Sequence, residues 1–562
     1  MRQNKIITRF SILLGVLFFW GNSFAQISLS INQQTIKQII PQIEKTSGYN
    51  VFYTDKLPNL DTRKDLLVSN APLEATLKEL FKGTKITFEI KPNKQVLLFQ
   101  QANKPSGNRK QVPSKLLVEA ESFDRKGGWV VDQQFMDLMG SPYLMAHGMG
   151  VPVEDASTTI SFPEDGTYYV FVRTYNWTSP WYDGKGPGKF TLAVDNKKLP
   201  VVLGDEGKQW MWQPAGTVSV KAGSSSLTLK DLTGFNGRCD AIYFTTEKGQ
   251  LPPAQATQLT DFRKKMLDIP AEPEQYSYDV IVTGGGIAGM CAAATASRLG
   301  CKVALINDRP VLGGNNSSEV RVHLGGNIGV GPNSGLGRMI REFGHSKEGN
   351  AKPAANYEDE KKELFIANEK NITLYANYRA ISVKPDGNRI ESVIIKHIEN
   401  GKEVELKAPL FSDCTGDGTI GYLAGADYNM GRESRAEYGE ELAPIQPDKM
   451  TMGSSVQWYS ADKGKPTRFP IFSYGLQFNE KNCEKVTMGE WKWETGMNFN
   501  QIDDFERIRD YGLMVIYSNW SFLKNELKDN KKYKNRALDW VAYIAGKRES
   551  RRLLGDYILK QD

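Results

Sequence analysis

Three glycines carry the clearest chemical meaning in the chain. Gly284, Gly286 and Gly289 fall at the spacing G-x-G-x-x-G, directly after the apolar run Tyr278–Thr283. Each place excludes a side chain for its own reason. Gly284 permits the tight turn out of a strand, Gly286 lets the main chain approach a pyrophosphate, and Gly289 lets a helix lie close on the strand. The free N–H groups at the start of that helix would hold the two phosphates. The glycine pattern alone is weak. Here it follows a strand and opens a helix that Gly300 ends, and Lys302–Ile306 supplies a second strand at the correct distance. An acidic residue at the end of the second strand usually accepts the ribose hydroxyls. Asn307 holds that place and Asp308 follows it, so either an amide oxygen or the neighbouring carboxylate would do this work.

Further signatures lie downstream. Arg309-Pro310-Val311-Leu312-Gly313-Gly314-Asn315 runs into "NSSEVRVHLGG"; a strand at 408–412 leads into Asp413-Cys414-Thr415-Gly416-Asp417; and "KRESRRLLGDYIL" occupies 547–559. With these motifs, residues 276–562 resemble the FAD-dependent oxidoreductases of the glutathione-reductase-like superfamily, in a group sometimes labelled xanthan lyases. The resemblance implies an α/β Rossmann-like FAD-binding domain in which the flavin performs the redox step and the protein orients it. The implied cofactor-binding residues are Gly284, Gly286, Gly289, Asn307, Asp308, Arg309, Gly313, Gly314, Asn315, Thr415, Gly416 and Asp417. Arg321 and His323 follow the Gly-Gly segment. A cation there would stabilise a reduced, anionic flavin and a histidine could shuttle a proton, while His323 could equally be a hydrogen-bonded, partly buried residue. Glu549, Arg551 and Arg552 are read as an ion-pair network rather than as catalysts. Proteins of this class end in a further "GR…GxAAG"-like segment, absent before Asp562. The domain is therefore expected to be incomplete at its C-terminus, or its flavin site to be completed otherwise.

The elements that would present this site begin upstream. Short alternating strands recur over 116–247, with turns such as Glu164-Asp165-Gly166 between them, and read as a β-sandwich. "VEAESF", "FPEDGTYYVFVRT" and "CDAIYFTTE" make this block resemble galactose-binding-like carbohydrate-binding modules. In those modules carboxylates at the places of Glu119, Glu121 and Asp240 often hold a structural calcium, for which oxygen ligands are suited; ordinary hydrogen-bonding carboxylates are the other reading. The loops are rich in aromatic residues. Trp177 and Trp181, in the polar stretch "NWTSPWYDGKGPG", are the first candidates for a face that stacks on sugar rings, or for a loop packed on the next domain.

Residues 26–100 read as β-α-β-β-α-β-β, with helical spacing at Ile36, Ile39, Ile40 and Ile43 and again from Leu73 to Phe81. "TSGYNVFY" and "PLEATLKELFKGTKITFEI" resemble the short N-terminal domain of secretins and TonB-dependent receptors, which implies a docking module for a protein partner at the cell envelope. The first 25 residues have a basic start (Arg2, Lys5, Arg9), an apolar run over 10–20 and the small-x-small end Ser23-Phe24-Ala25. This is the pattern of a signal peptide, so the product is expected to be exported, periplasmic or associated with the envelope; an uncleaved anchor is the alternative.

The expected architecture is multidomain. A signal peptide at 1–25 precedes a small α+β domain at 26–100, a linker at 101–115, a β-sandwich at 116–250, a linker at 251–275 and the FAD-binding domain at 276–562. Composition agrees with a globular chain: 562 residues, 40% hydrophobic and 24% charged, with a net charge of +6 and no basic stripe. That argues against a disordered chain and against a nucleic-acid partner. Five dispersed cysteines rule out a disulfide scaffold, and four histidines without CxxC or HxH spacing leave little for zinc. The leading expectation is an exported FAD-dependent oxidoreductase acting on a carbohydrate or glycan-derived substrate. The alternatives are a non-enzymatic glycan-binding envelope protein with an inert flavin domain, and a flavin-assisted glycosidase or polysaccharide lyase.

Overall fold

The computed structural model describes residues 26–561, apart from 55–56, 92–93, 101–113 and 491–492. The expected signal peptide and nearly all of the linker at 101–115 lie outside the described residues. Two compact units result, 1–112 and 113–562.

In the first unit, strand Gln26–Thr35 pairs antiparallel with Arg63–Pro72. Helix Ile36–Ser47 starts at a capping box in which Thr35 and Gln38 bond each other's main chain, and it ends on Gly48 in the left-handed region. Strand Gln95–Gln100 pairs with Asn50–Phe52 on one side and Ile86–Lys91 on the other. The isoleucines at 36, 39, 40 and 43 pack with Leu73, Leu77, Leu80 and Phe81 of the second helix in one core.

The second unit begins with the sandwich. One sheet orders its strands Met211–Val220, Gly166–Thr174, Ala241–Thr245, Lys115–Glu119; the facing sheet runs Lys197–Lys198, Phe190–Val194, Gly223–Asp231, Ala156–Phe162. A third sheet of Gly237–Cys239, Tyr143–Ala146 and Val130–Asp132 had no counterpart in the strand pattern. Its strands are only three or four residues long, and Tyr143–Ala146 is buried on both faces, so no alternation marks it. The stretch 251–275 is more than a linker. It holds helix Ala256–Met266, whose Leu259 and Arg263 are buried, and strand Glu274–Ser277, which joins a sheet of the following domain.

That domain is built on a parallel sheet in the order Ile372–Ala376, Val303–Asn307, Val280–Thr283, Leu410–Asp413. Helix Ile287–Arg298 joins the two central strands and packs Met290, Ala293 and Ala294 on them. A second, mixed sheet contains Glu274–Ser277, Glu403–Lys407, Arg389–His397 and Tyr378–Asp386. Beyond residue 454, helix Phe505–Asn525 is buried along most of its length. Its Leu513, Tyr517 and Trp520 share one core with Val456, Trp458 and Phe472 and with Phe135, Tyr143, Tyr175, Trp177 and Phe235 of the sandwich. The sandwich and the parallel-sheet domain are thus one packed body.

Charges are sealed into the same interface. Arg238 of the sandwich, fully buried, reaches Asp510 of the long helix at 2.5 Å and Glu506 at 2.8 Å. Arg509 bonds Asp132 of the sandwich at 2.7 Å and Asp510 at 2.8 Å. Tyr143 and Tyr175 supply hydroxyls to this network. Buried charges persist when they are paired and hydrogen-bonded, and each of these has a partner of opposite charge.

Candidate functional site: a glycine-lined dinucleotide pocket

The strand Val280–Thr283 ends in Gly284, whose φ of +107° lies where only glycine is unstrained. A Cβ on Gly289 would stand 1.8 Å from the carbonyl oxygen of Gly284, so this glycine is fixed by the approach of helix to strand. Gly286 is different. A Cβ there would meet nothing nearer than the Cα of Gly314, at 3.9 Å. The space beside it is open, and it leads to the start of helix Ile287–Arg298, which no side chain caps. Uncapped N–H groups at a helix start, next to a main chain stripped of side chains, form an anion cradle. Gly313 continues it by donating its N–H to the Gly285 carbonyl at 2.8 Å.

A cavity of about 440 Å³ opens from this cradle, within the 300–1,000 Å³ usual for cofactor sites. Its wall brings together Gly284, Gly286, Asn307, Asp308, Arg309, Gly313, Gly314, Asn315, His323, Thr415, Gly416 and Asp417. Gly289 stands behind the loop and acts through packing. Between Asn307 and Asp308 the geometry separates the two roles left open above. Asn307 is buried and spends its amide on the carbonyls of Arg309 and Val311, at 2.7 and 3.0 Å. Asp308 faces the cavity and is held by Arg379 at 2.8 Å. Arg309 sits 3.6 Å from Glu319 of the "SSE" stretch, a carboxyl that burial pushes upward in pKa.

Several wall residues were not legible in the sequence. Arg379 pairs with Asp308 and also with Asp137 of the sandwich, at 2.8 Å each. Burial opposes its charge, but these two carboxylates hold it firmly protonated. Gln133 and Gln134 of the sandwich line the cavity, and Gln134 bonds the main chain of Tyr543 and Ala545. Ile544, Ala545 and Lys547 complete the wall. Lys547 donates to both oxygens of Asp417 at 2.9 Å, and burial lowers its pKa against that pull. So the segment at 544–547 comes back over the glycine domain and, with Gln133 and Gln134 of the sandwich, forms part of the pocket wall. Of the three other charged candidates, Glu549 pairs with Arg552, which also reaches Glu433, while Arg551 lies over the Tyr422 ring.

Three expectations need correction. Arg321 does not face the cavity. Its guanidinium donates to the carbonyls of Ser318 and Lys352 and lies 3.9 Å over the Trp540 ring, so it orders the loop that presents His323. Glu119, Glu121 and Asp240 do not form a calcium site. Arg263 bonds Glu119 at 2.8 Å and Asp240 at 2.5 Å, and Arg173 bonds Asp240 at 2.8 Å. Two guanidinium groups already supply the positive charge, and among the described residues no group of three His, Cys, Asp or Glu side chains is arranged to hold a metal. Trp177 is not a sugar platform. It is fully buried, donates to the Phe235 carbonyl at 2.9 Å and stacks on Phe472; Trp181 packs on Tyr511. The other reading, a loop packed on the next domain, holds: the apolar surface against these tryptophans lies more than 290 residues away, at Phe472 and Tyr511.

Comparison with known proteins agrees with the pocket. Residues 279–562 match the family described as FAD dependent oxidoreductase. A 68-residue stretch is 37% identical to the soluble pyridine nucleotide transhydrogenase of Ectopseudomonas mendocina (strain ymp), covering 12% of this chain and 13% of that protein. Among solved structures, the myxobacterial FAD-dependent halogenase CndH is similar over 35% of this chain and 46% of its own (18% identity, TM-score 0.23). A family 35 carbohydrate binding module from Clostridium thermocellum is similar over 23% of this chain and 97% of its own (16% identity, TM-score 0.20).

Proposed function

Because the chain belongs to the FAD-dependent oxidoreductase family, we propose that it is an exported flavoenzyme that oxidises a hydroxylated substrate of the carbohydrate class. The observation that carries the cofactor reading is the open cradle at Gly286, facing an uncapped helix start and continued by Gly313 and Gly314. The donor set fits FAD. The helix amides would bind the diphosphate, Asp308 would accept the ribose hydroxyls, and Arg379 holds that carboxylate in place. Arg309 and Lys547 bring positive charge to the wall. FAD, when bound, supplies two-electron redox chemistry.

The chain's own residues then bind, shield and move a proton. Gln133 and Gln134 with the 544–547 segment narrow access of water to the cavity. His323 lines it and carries the proton exchanged with a substrate hydroxyl. The carbohydrate class is supported by the sandwich at 116–247, and no longer by exposed tryptophans. Export is supported by the leader-like residues 1–25, and an envelope protein partner by the α+β unit at 26–100. The test is the visible spectrum of the purified chain. The reading expects bound flavin, bleached without oxygen by an oxidisable sugar; protein that takes up no FAD overturns it, and flavin that no sugar bleaches overturns the substrate class.

A further inference from the structure

We propose that Asn350 and Glu490 lock His323 in one tautomer, with the proton on Nδ1 and the lone pair of Nε2 left as the free base of the pocket. This rests on the pocket reading above for its purpose, but its evidence is independent of any cofactor.

The argument starts from which groups can only donate and which can only accept. Asn350, buried, lies between His323 and Glu490. Its Oδ1 is 3.0 Å from the main-chain N of His323 and 3.1 Å from the ring Nδ1. Its Nδ2 is 3.1 Å from Oε2 of Glu490. A main-chain N–H only donates, and an ionised carboxylate only accepts. Both ends therefore set the same orientation of the amide, with oxygen toward His323 and nitrogen toward Glu490. An oxygen facing Nδ1 requires a hydrogen on Nδ1. In the neutral ring this leaves Nε2 unprotonated. When Nε2 takes up a proton the Nδ1–H bond to Asn350 survives unchanged, so the ring can gain and lose a proton without turning.

The neighbouring histidine is fixed by the same logic. Nε2 of His345 accepts the main-chain N–H of Leu324 at 3.1 Å, and its Nδ1 donates to the carbonyl of Lys347. Burial holds its pKa below the ordinary value, with Lys362 and His323 adding to that effect and Glu358 opposing it. His345 therefore acts as a neutral acceptor that pins the loop after His323. Asn350 and Glu490 are positioning residues: neither lines the cavity, and both act through the ring.

The experiment uses ¹⁵N-labelled histidine in the full chain. With four histidines in the sequence, the two-bond ¹⁵N–¹H pattern resolves each ring, and His323→Gln assigns the one in question. Native protein is expected to show the Nδ1–H form of His323. Asn350→Leu is expected to return it to a mixture dominated by Nε2–H, the form free side chains favour. Asn350→Asp combined with Glu490→Gln keeps an acceptor facing His323 and reverses only the second bond, whose donor is then at position 490, and is expected to restore Nδ1–H. Should Asn350→Leu fail to fold, Glu490→Leu removes only the acceptor at a half-exposed site and is expected to erode the Nδ1–H form. An Nε2–H ring in native protein, or a pattern unmoved by the Asn350 and Glu490 variants, overturns the proposal. The readout works with or without FAD, so failure to bind flavin would sink the proposed function and leave this result standing.

Discussion

The glycine loop at 284–289 lines the pocket, the interface around Arg238 and Arg509 holds elements next to it, with Phe505 in the wall and the Tyr543 carbonyl bonded by Arg509 beside Ile544, and the two work on different scales. The loop works over six residues by leaving side chains out: one glycine for a backbone angle, one for an approach of helix to strand, one for open space. The interface works over separations of 268 to 377 residues by putting charge in, with Arg238, Arg509, Asp132, Asp510 and Glu506 paired between sandwich and helix. The first is a local device and can be copied between chains as a motif. The second exists only when both partners have folded, so it makes the sandwich part of the enzyme's frame rather than an appendage. The α+β unit at 26–100 gives the contrast: it closes a core of its own from residues 27–98.

The sharpest way to break this comparison is at Arg238. Arg238→Met takes from buried Asp510 one of its two arginines, leaving Arg509, and takes from the partly buried Glu506 its guanidinium; removing one partner of a buried ion pair costs about 3–5 kcal/mol. Thermal unfolding is expected to fall for the sandwich and the flavin domain together. If only one of two transitions moves, the two are separate bodies and the comparison fails. Next in size is Gly286→Val. Its backbone angles are ordinary for any residue (φ −70°) and its Cβ has room, so folding should change by less than about 1 kcal/mol, as for a surface site. FAD affinity, read by calorimetry, should fall at least ~100-fold, or about 2.7 kcal/mol, because the side chain fills the cradle. Gly289→Val should instead fail to fold, since its Cβ meets the Gly284 carbonyl. Smaller again is Arg379→Gln, which frees Asp308 and Asp137 from their shared cation. FAD binding is expected to weaken about tenfold, ~1.4 kcal/mol, which a titration of the apoprotein measures; an unchanged affinity would mean that the sandwich does not act on the pocket through this bridge.

What could be read in the sequence follows the same division. The β-α-β unit, the Gly-Gly pair and the Thr-Gly-Asp turn were visible because their constraints are contained in a few adjacent residues. Helix Phe505–Asn525 was missed: it is buried nearly all round and carries Arg509 and Asp510 in its interior, so no polar face gives it a helical period. Of the two readings of Trp177, the loop packed on the next domain holds, and the polar loop could not decide between them because its cover comes from Phe472 and Tyr517. Arg379, Gln134 and Lys547 reach the pocket from three distant parts of the chain, and nothing near Arg379 or Gln134 in sequence marks them. The one signal that could have helped was the "KRES" stretch, noticed as a family match but not as a pocket wall. For Glu119 and Asp240 the residues resembled a calcium site, and the arginine that displaces that role lies in a helix taken for linker.

The smallest effect separates charge placed with a partner from charge placed without one. Asp240 is fully buried; burial works against its ionised form, but Arg263 and Arg173 prevail and lower its pKa. It therefore adds stability at neutral pH that is lost as the medium falls below the ordinary aspartate range. Glu121 lies in the same cluster, and its Oε2 has no hydrogen-bond partner. Burial, with Glu119 and Asp240 beside it, raises its pKa well above the ordinary 4.5. A carboxyl raised in the folded state stabilises below its unfolded pKa, and that contribution disappears as the pH climbs through the raised value. Denaturant unfolding of the native chain should therefore show a contribution to stability that declines as the pH rises above the ordinary glutamate value of 4.5. Glu121→Gln keeps the shape and removes the proton, so the decline should flatten, while a metal chelator should change neither curve. A Glu121→Gln protein with the same pH slope as the native one would show that this carboxyl is already ionised and paired, and that the cluster follows the logic of Arg238 and Asp510 throughout.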